Sequence, residues 1–176
     1  MDKKTRTVTL HGNTLTLAGN IIKVGDKAPD FEVLSNDLAP VKLSTFKGRV
    51  IVISSVPSLD TPVCDTETVR FNREAEKFGS DIVMLTISMD LPFAQSRWCA
   101  VKAVKNLQTL SDHREASFGT AYGVLIKELR LLARTIFIID SEGIVRYIQL
   151  VKEVSNEPDY DDVLQSLTLL LQGEKT

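Results

Sequence analysis

Apolar and polar positions alternate at the start of the chain and then change period several times. TVTL (7–10) and TLTLAG (14–19) alternate on either side of HGN, which predicts a β-hairpin turning at Gly-Asn. The loop VGDKAPDF follows, punctuated by glycine and proline. Short strands are predicted at 31–34 and 41–43. RVIVISSV (49–56) is an almost unbroken β-branched run, the pattern of a strand buried on both faces. From Cys64 to about Phe78 apolar and polar residues recur at helical spacing (Val69, Phe71, Ala75, Phe78), with Gly79 as the stop. DIVMLTIS (81–88) is a second buried strand, and 93–104 a helix bearing Trp98 and Cys99. A short helix is predicted at 116–122, ended by Gly123. RTIFIID (134–140) and IVRYIQLV (144–151) form a hairpin around SEG, and 159–171 a closing amphipathic helix.

Strands alternating with helices imply an α/β layered domain with a mixed sheet. Neither a repeat nor an interior linker interrupts it. The chain reads as a single domain over 1–176, with 1–20 as an N-terminal hairpin extension.

Composition changes this picture little. Hydrophobic residues are 43% and charged residues 25% of the 176, ordinary for a globular protein. A net charge of −2 with scattered basic residues offers no footprint for nucleic acid or an anionic membrane. No apolar run reaches the ~18 residues of a membrane helix, and MDKKTRTVTLHG lacks the apolar core of a secretory signal. The expectation is a cytoplasmic protein. There, two cysteines 35 positions apart, Cys64 and Cys99, are more often catalytic or free than a permanent staple.

The chemistry concentrates at SLDTPVC (58–64). Threonine favours the N-cap and proline the first helical position. With Thr61 as cap and Pro62 first, Cys64 takes the third position, among unpaired N–H groups at the positive end of the helix dipole. That setting favours a thiolate. Asp60 and Asp65 oppose it, so a cation from elsewhere in the fold must decide. A buried structural thiol at Cys64 and a plain cap at Thr61 are the alternative readings. By residue pattern alone Arg134 is a surface residue at a strand start, and Cys99 a core residue on the apolar side of its helix.

PSLDTPVC (57–64) has the form Pro-x-x-x-Thr-x-x-Cys, follows a buried strand and opens a helix. It resembles the active-site motif of the peroxiredoxins. The wider chain is similar to the bacterial thiol peroxidases of the atypical two-cysteine type: in the VTLHGN hairpin, VGDKAPDF, the cysteine of RWCA, NLQTLSD, LLARTIFIID and EPDYDDVL. The resemblance implies a thioredoxin-like fold and thiol-dependent reduction of hydrogen peroxide and organic hydroperoxides. It implies Cys64 as the peroxidatic cysteine, oxidised to a sulfenic acid. Thr61 would orient sulfur and peroxide, Pro57 would shield the pocket from water, and Arg134 would supply the missing cation. Cys99 would resolve the sulfenic acid to an intramolecular disulfide, with Arg97 favouring its thiolate. Thioredoxin as reductant and a homodimer are implied too, with no metal, haem or flavin. Trp98 stands where phenylalanine is usual, and AVKAVKN lacks the acidic, glycine-rich character usual after the second cysteine. The two cysteines lie on different predicted helices, and a disulfide needs Cα atoms within roughly 7 Å. Closing the bond is therefore expected to unwind helix locally.

Other chemistries fit less well. Cys64, Cys99, His11 and His113 contain no pair at zinc-ligand spacing. A cysteine hydrolase needs a histidine base, and His113 in the polar SDHRE loop is the one candidate. A dithiol oxidoreductase normally carries Cys-x-x-Cys, which is absent. A non-enzymatic redox sensor could share the cysteine pair.

Overall fold

The computed structural model describes residues 5–175; the ends of the expected 1–176 domain, residues 1–4 and 176, lie outside them. The alternating N-terminal segments form β1 (Thr7–Leu10) and β2 (Asn13–Ala18), antiparallel with Leu10 opposite Asn13. The turn is thus His11-Gly12, one residue before the expected Gly-Asn. Both turn residues have positive φ, 50° and 80°, the twist a two-residue hairpin loop requires.

The chain then makes β3 (Glu32–Leu34), β4 (Pro40–Lys42), β5 (Val50–Ser55), α1 (Pro62–Phe78), β6 (Ile82–Ser88), α2 (Pro92–Lys102) and β7 (Gln108–Ser111). It closes with α3 (Ser117–Ala121), β8 (Leu125–Ile126), β9 (Leu131–Leu132), β10 (Thr135–Ile139), β11 (Val145–Leu150) and α4 (Tyr160–Glu174). Three strands have no local signature: β7, β8 and β9 are two to four residues long and exist by pairing. β7 lies parallel to β6, and β8 bridges β2 and β9.

Seven strands form the main sheet in the order β11-β10-β5-β6-β7-β3-β4, and β1-β2-β8-β9 form a smaller one. β5, β6 and β7 are parallel, while β10 runs antiparallel to β5. The strand alternation splits the core. Ile51, Ile53, Phe137 and Ile139 face a cluster with Phe31, Phe118 and Tyr122. Val50, Val52, Ile136 and Ile138 face another with Phe71, Val163 and Leu167 from α1 and α4. This double coverage is why these runs read as continuously apolar. Stacking of Phe118 on Tyr122 at 4.7 Å, and edge contacts of both with Phe137 at 6.2 and 5.1 Å, fix the first cluster. Each such pair adds about 0.5–1.5 kcal/mol beyond area burial.

Gly123 lies against the two ends of the N-terminal extension. A Cβ there would lie 1.8 Å from the Asn20 carbonyl oxygen, and Arg6 Nη1 donates to the Gly123 carbonyl at 3.0 Å. Only glycine admits so close an approach of the extension. Among the described residues no helix is long and apolar enough to cross a membrane.

Candidate active site

The pairing of β5 with β10 decides the site. Ser55, the last residue of β5, sits opposite Thr135, the first of β10. The loop leaving β5 toward α1 therefore meets Arg134, 70 positions from Cys64. Asp90 shapes that loop. Its carboxylate accepts from Ser58 Oγ (2.6 Å), the Leu59 amide (2.8 Å) and Ser88 Oγ (2.6 Å).

Thr61 occupies the N-cap position with φ −95° and ψ 146°, and Pro62 begins the helix. The expected side-chain cap is not made. The Thr61 hydroxyl instead donates back to the Ser58 carbonyl at 3.0 Å, while its own carbonyl accepts from the Asp65 amide.

Cys64 is fully buried despite its polar flanks. The inward stripe of α1 comprises Cys64, Glu67, Thr68 and Phe71, and Cys64 packs with Val56, Leu59 and Trp98. Burial alone would suit a structural thiol. The sulfur, however, accepts a hydrogen bond from Arg134 Nη2 at 3.3 Å. Arg134 is not the surface residue its strand-start pattern suggests, being only 2% exposed. It is held on three sides. Nε and Nη2 donate to the Val154 carbonyl at 3.0 and 2.9 Å, and Nη1 pairs with Glu67. The second oxygen of Glu67 accepts from Ser54 Oγ at 3.0 Å. Burial works against the guanidinium charge, but Glu67 and the Cys64 sulfur outweigh it and hold Arg134 above its ordinary value. Burial likewise pushes the Glu67 carboxyl up, against the pull of Arg134 and Ser54.

The two aspartates that oppose a thiolate in the sequence are answered by the fold. Asp65 accepts from the Trp98 indole N–H at 2.8 Å and pairs with Lys102 at 3.1 Å. Asp60 faces solvent, where water screens it.

A pocket of about 440 Å³ brings Pro57, Thr61 and Arg134 together; Cys64 itself lies behind this lining. Its remaining wall is mostly apolar: Leu10 from the hairpin, Ile126, Leu129, Leu131 and Val154. His11 and Ser155 add the polar rim. Cys99 stands apart from this pocket. It is half-buried on α2, and its Sγ lies 3.2 Å from Thr109 Oγ1. That hydroxyl donates to Asn36 Oδ1 at 3.0 Å, which leaves the Cys99 S–H as the donor to Thr109. Arg97 is exposed, and the bonded partner of Cys99 is Thr109. Both cysteines are free thiols, and the helices that carry them are intact. They share one apolar cluster through Trp98.

Sequence reasoning missed Glu67, Asp90 and the Val154 carbonyl. Glu67 left a signal, since it lies one helical turn after Cys64 on the buried stripe. The other two left none, because their partners are set by tertiary contact.

The redoxin family sequence model matches residues 23–164. The thiol peroxidase of Halalkalibacterium halodurans is 54% identical over 159 residues, covering 90% of this chain and 95% of that protein. The chain belongs to the redoxin family, in its thiol peroxidase branch. The thiol peroxidase of Bacillus subtilis is 50% identical over 94% of this redoxin and 98% of its own length. Among solved structures, a peroxiredoxin-like protein from Aquifex aeolicus superposes with a TM-score of 0.88 at 46% identity, over 94% of this chain and 97% of that one. A thiol peroxidase from Chromobacterium violaceum, 22% identical, covers 96% of this chain and 97% of its own with a TM-score of 0.83, and so shares the fold. The thioredoxin-like fold and the thiol peroxidase resemblance read from the sequence both hold.

Proposed function

We propose that this redoxin is a thiol-dependent peroxidase in which Cys64 attacks the peroxide. The observation that carries the reading is the Arg134 guanidinium, which donates to the fully buried Cys64 sulfur and also lines the pocket. The thiolate attacks the nearer peroxide oxygen, and the O–O bond breaks. Cys64 becomes a sulfenic acid, and the distal oxygen leaves as water or an alcohol after taking a proton. Arg134 has a fixed charge and donors on both ends of its fork. It stabilises the sulfur anion first and then the charge on the departing oxygen. The Thr61 proton is engaged by Ser58, so its oxygen lone pairs are free to accept from a peroxide O–H and turn the O–O axis toward sulfur. Pro57 has no N–H and closes one side of the pocket to water.

Cys99 then attacks the Cys64 sulfenic acid, releasing water and leaving an intramolecular disulfide. A thioredoxin-type dithiol returns both cysteines to thiols and is itself oxidised. The apolar wall supports organic hydroperoxides beside hydrogen peroxide as substrates. Thioredoxin itself as reductant, the homodimer and a cytoplasmic setting rest on the thiol peroxidase resemblance.

The test is stoichiometric. Reduced protein receives one equivalent of hydrogen peroxide, and free thiols are counted while the fluorescence of Trp98 is followed. Wild type loses both thiols, Cys99→Ser accumulates the sulfenic acid, and Cys64→Ser does not react. Wild type reacting no faster than free cysteine, or Cys64→Ser reacting like wild type, overturns the reading.

A further inference from the structure

One carboxylate gathers the N-terminal hairpin turn against the segment that holds Arg134. Glu153 lies in the segment between β11 and α4, immediately before Val154, whose carbonyl receives two of the Arg134 hydrogen bonds. The Glu153 carboxylate gathers donors from the hairpin and from its own segment. Oε2 accepts from the Thr9 hydroxyl and the Gly12 amide (3.3 Å), and Oε1 from the His11 amide (2.8 Å) and Ser155 Oγ (2.7 Å). The turn geometry makes this possible. Positive φ at both His11 and Gly12 turns two successive N–H groups to the same side, a small anion-binding nest. The backbones are stitched as well: Thr9 N donates to the Lys152 carbonyl and Val154 N to the Thr9 carbonyl, both at 2.8 Å. The Thr9 and Ser155 hydroxyls, with the two turn amides, outweigh burial and hold the Glu153 carboxyl down to about 2.

We infer that Glu153 is a positioning residue for peroxide reduction: it fastens the hairpin turn to the 152–155 segment, and so fixes the Val154 carbonyl that aims Arg134 at Cys64. The role rests on the proposed chemistry of Cys64 and Arg134. Glu153 does not touch the sulfur or the pocket floor. It acts through Val154, the one neutral acceptor that takes both Nε and Nη2 of the guanidinium. Glu67 holds Nη1 from the opposite side. If the Val154 carbonyl drifts, the fork pivots about Glu67, and Nη2 leaves the sulfur. The same latch holds Leu10 and His11 as the pocket's outer wall.

A neighbouring carboxylate supplies the control. Glu128 accepts from the Thr16 amide of the same hairpin at 3.0 and 2.9 Å, and none of its hydrogen bonds reaches Val154 or Arg134. The experiment compares Glu153→Ala, Glu153→Gln and Glu128→Ala in full-length protein carrying Cys99→Ser. Two rates are measured against pH, each per titratable Cys64 thiol: hydrogen peroxide consumption and iodoacetamide labelling of Cys64. Misplacing a group that supports the reacting atoms costs roughly 10- to 100-fold. Glu153→Ala is expected to slow peroxide consumption by about that factor and to move both pH–rate profiles toward alkaline pH. Glu153→Gln keeps one acceptor oxygen and is expected to recover part of the loss. It is isosteric, so it reports on the role even where Glu153→Ala fails to fold. Glu128→Ala is expected to match the parent protein.

Glu153→Gln at the parental rate with an unmoved profile overturns the inference. So does Glu128→Ala slowing the reaction as much as Glu153→Ala, since the hairpin would then matter only as a prop. Failure of the proposed chemistry looks different: the parent protein itself would leave Cys64 unoxidised by peroxide while still labelling it with iodoacetamide.

Discussion

Replacing Glu67 by glutamine removes one charge from a closed set of partners and changes little else in shape. Glu67 is fully buried and Arg134 nearly so, and the carboxylate pairs with Nη1 while accepting from Ser54. Taking one member from a buried ion pair costs about 3–5 kcal/mol, because the remaining charge has no water to replace its partner. Arg134 retains the Val154 carbonyl and the Cys64 sulfur, so the lower end applies, about 3 kcal/mol. For a chain of this length each kcal/mol moves Tm by about 2–4 °C, which gives a fall of roughly 6–12 °C. Urea unfolding of the reduced protein, with m unchanged, measures it. The partner list also predicts coupling. In a Cys64→Ala background the sulfur is gone, and Glu67→Gln then costs more, by about 1 kcal/mol within the usual range for residues sharing a partner. A cost below about 1 kcal/mol in both backgrounds, with no coupling, would refute the reading of Arg134 as a buried cation shared between Glu67 and Cys64.

Three further outcomes follow from the contacts. Asp65 ties the start of α1 to α2 through Trp98 and Lys102, and those contacts must part if either helix unwinds to join the cysteines. Asp65→Ala is expected to speed disulfide closure about fivefold, the worth of about 1 kcal/mol, with the first peroxide step within about threefold; stopped-flow fluorescence of Trp98 separates the two phases. Leu129→Asp puts a charge into the apolar wall of the pocket, so KM for cumene hydroperoxide rises severalfold while hydrogen peroxide turnover is unchanged in steady-state assays. Burial pushes the Asp112 carboxyl from 3.8 up to about 6, against the amides of Gly119 and Phe118. The folded state thus holds this proton more tightly than the unfolded chain, and the stability it contributes is complete below about pH 4 and lost as pH rises through about 6. Wild type should lose up to about 3 kcal/mol relative to Asp112→Asn between pH 4 and pH 7, read from urea melts at each pH.

The sequence by itself determined the layered α/β order, the strand–loop–helix setting of Cys64 and the mixed sheet. These features are local: β-branched runs such as VIVISS and the 3.6-residue spacing of α1 declare themselves within a few residues. The PSLDTPVC pattern and its resemblance to known active sites marked Cys64, Thr61 and Pro57, and the wider resemblance, in LLARTIF and RWCA, marked Arg134 and Cys99. Tertiary structure alone decided what those residues face. Arg134 reads as a surface strand start, yet the antiparallel register of β10 against β5 carries it under the loop that leads to α1. Thr61 has the residue type of a side-chain cap, yet its hydroxyl turns to Ser58. Cys64 has polar flanks, yet the inward stripe of α1 buries it. The short strands β7, β8 and β9 have too few residues for a period and form only where a partner strand offers its open edge. Charge neutralisation at Asp65, the grip of Glu67 and Val154 on the guanidinium, and the Glu153 latch on the hairpin join residues from 20 to 144 positions apart. No local pattern encodes such pairings, because their energy exists only once the folded chain has excluded water from both partners.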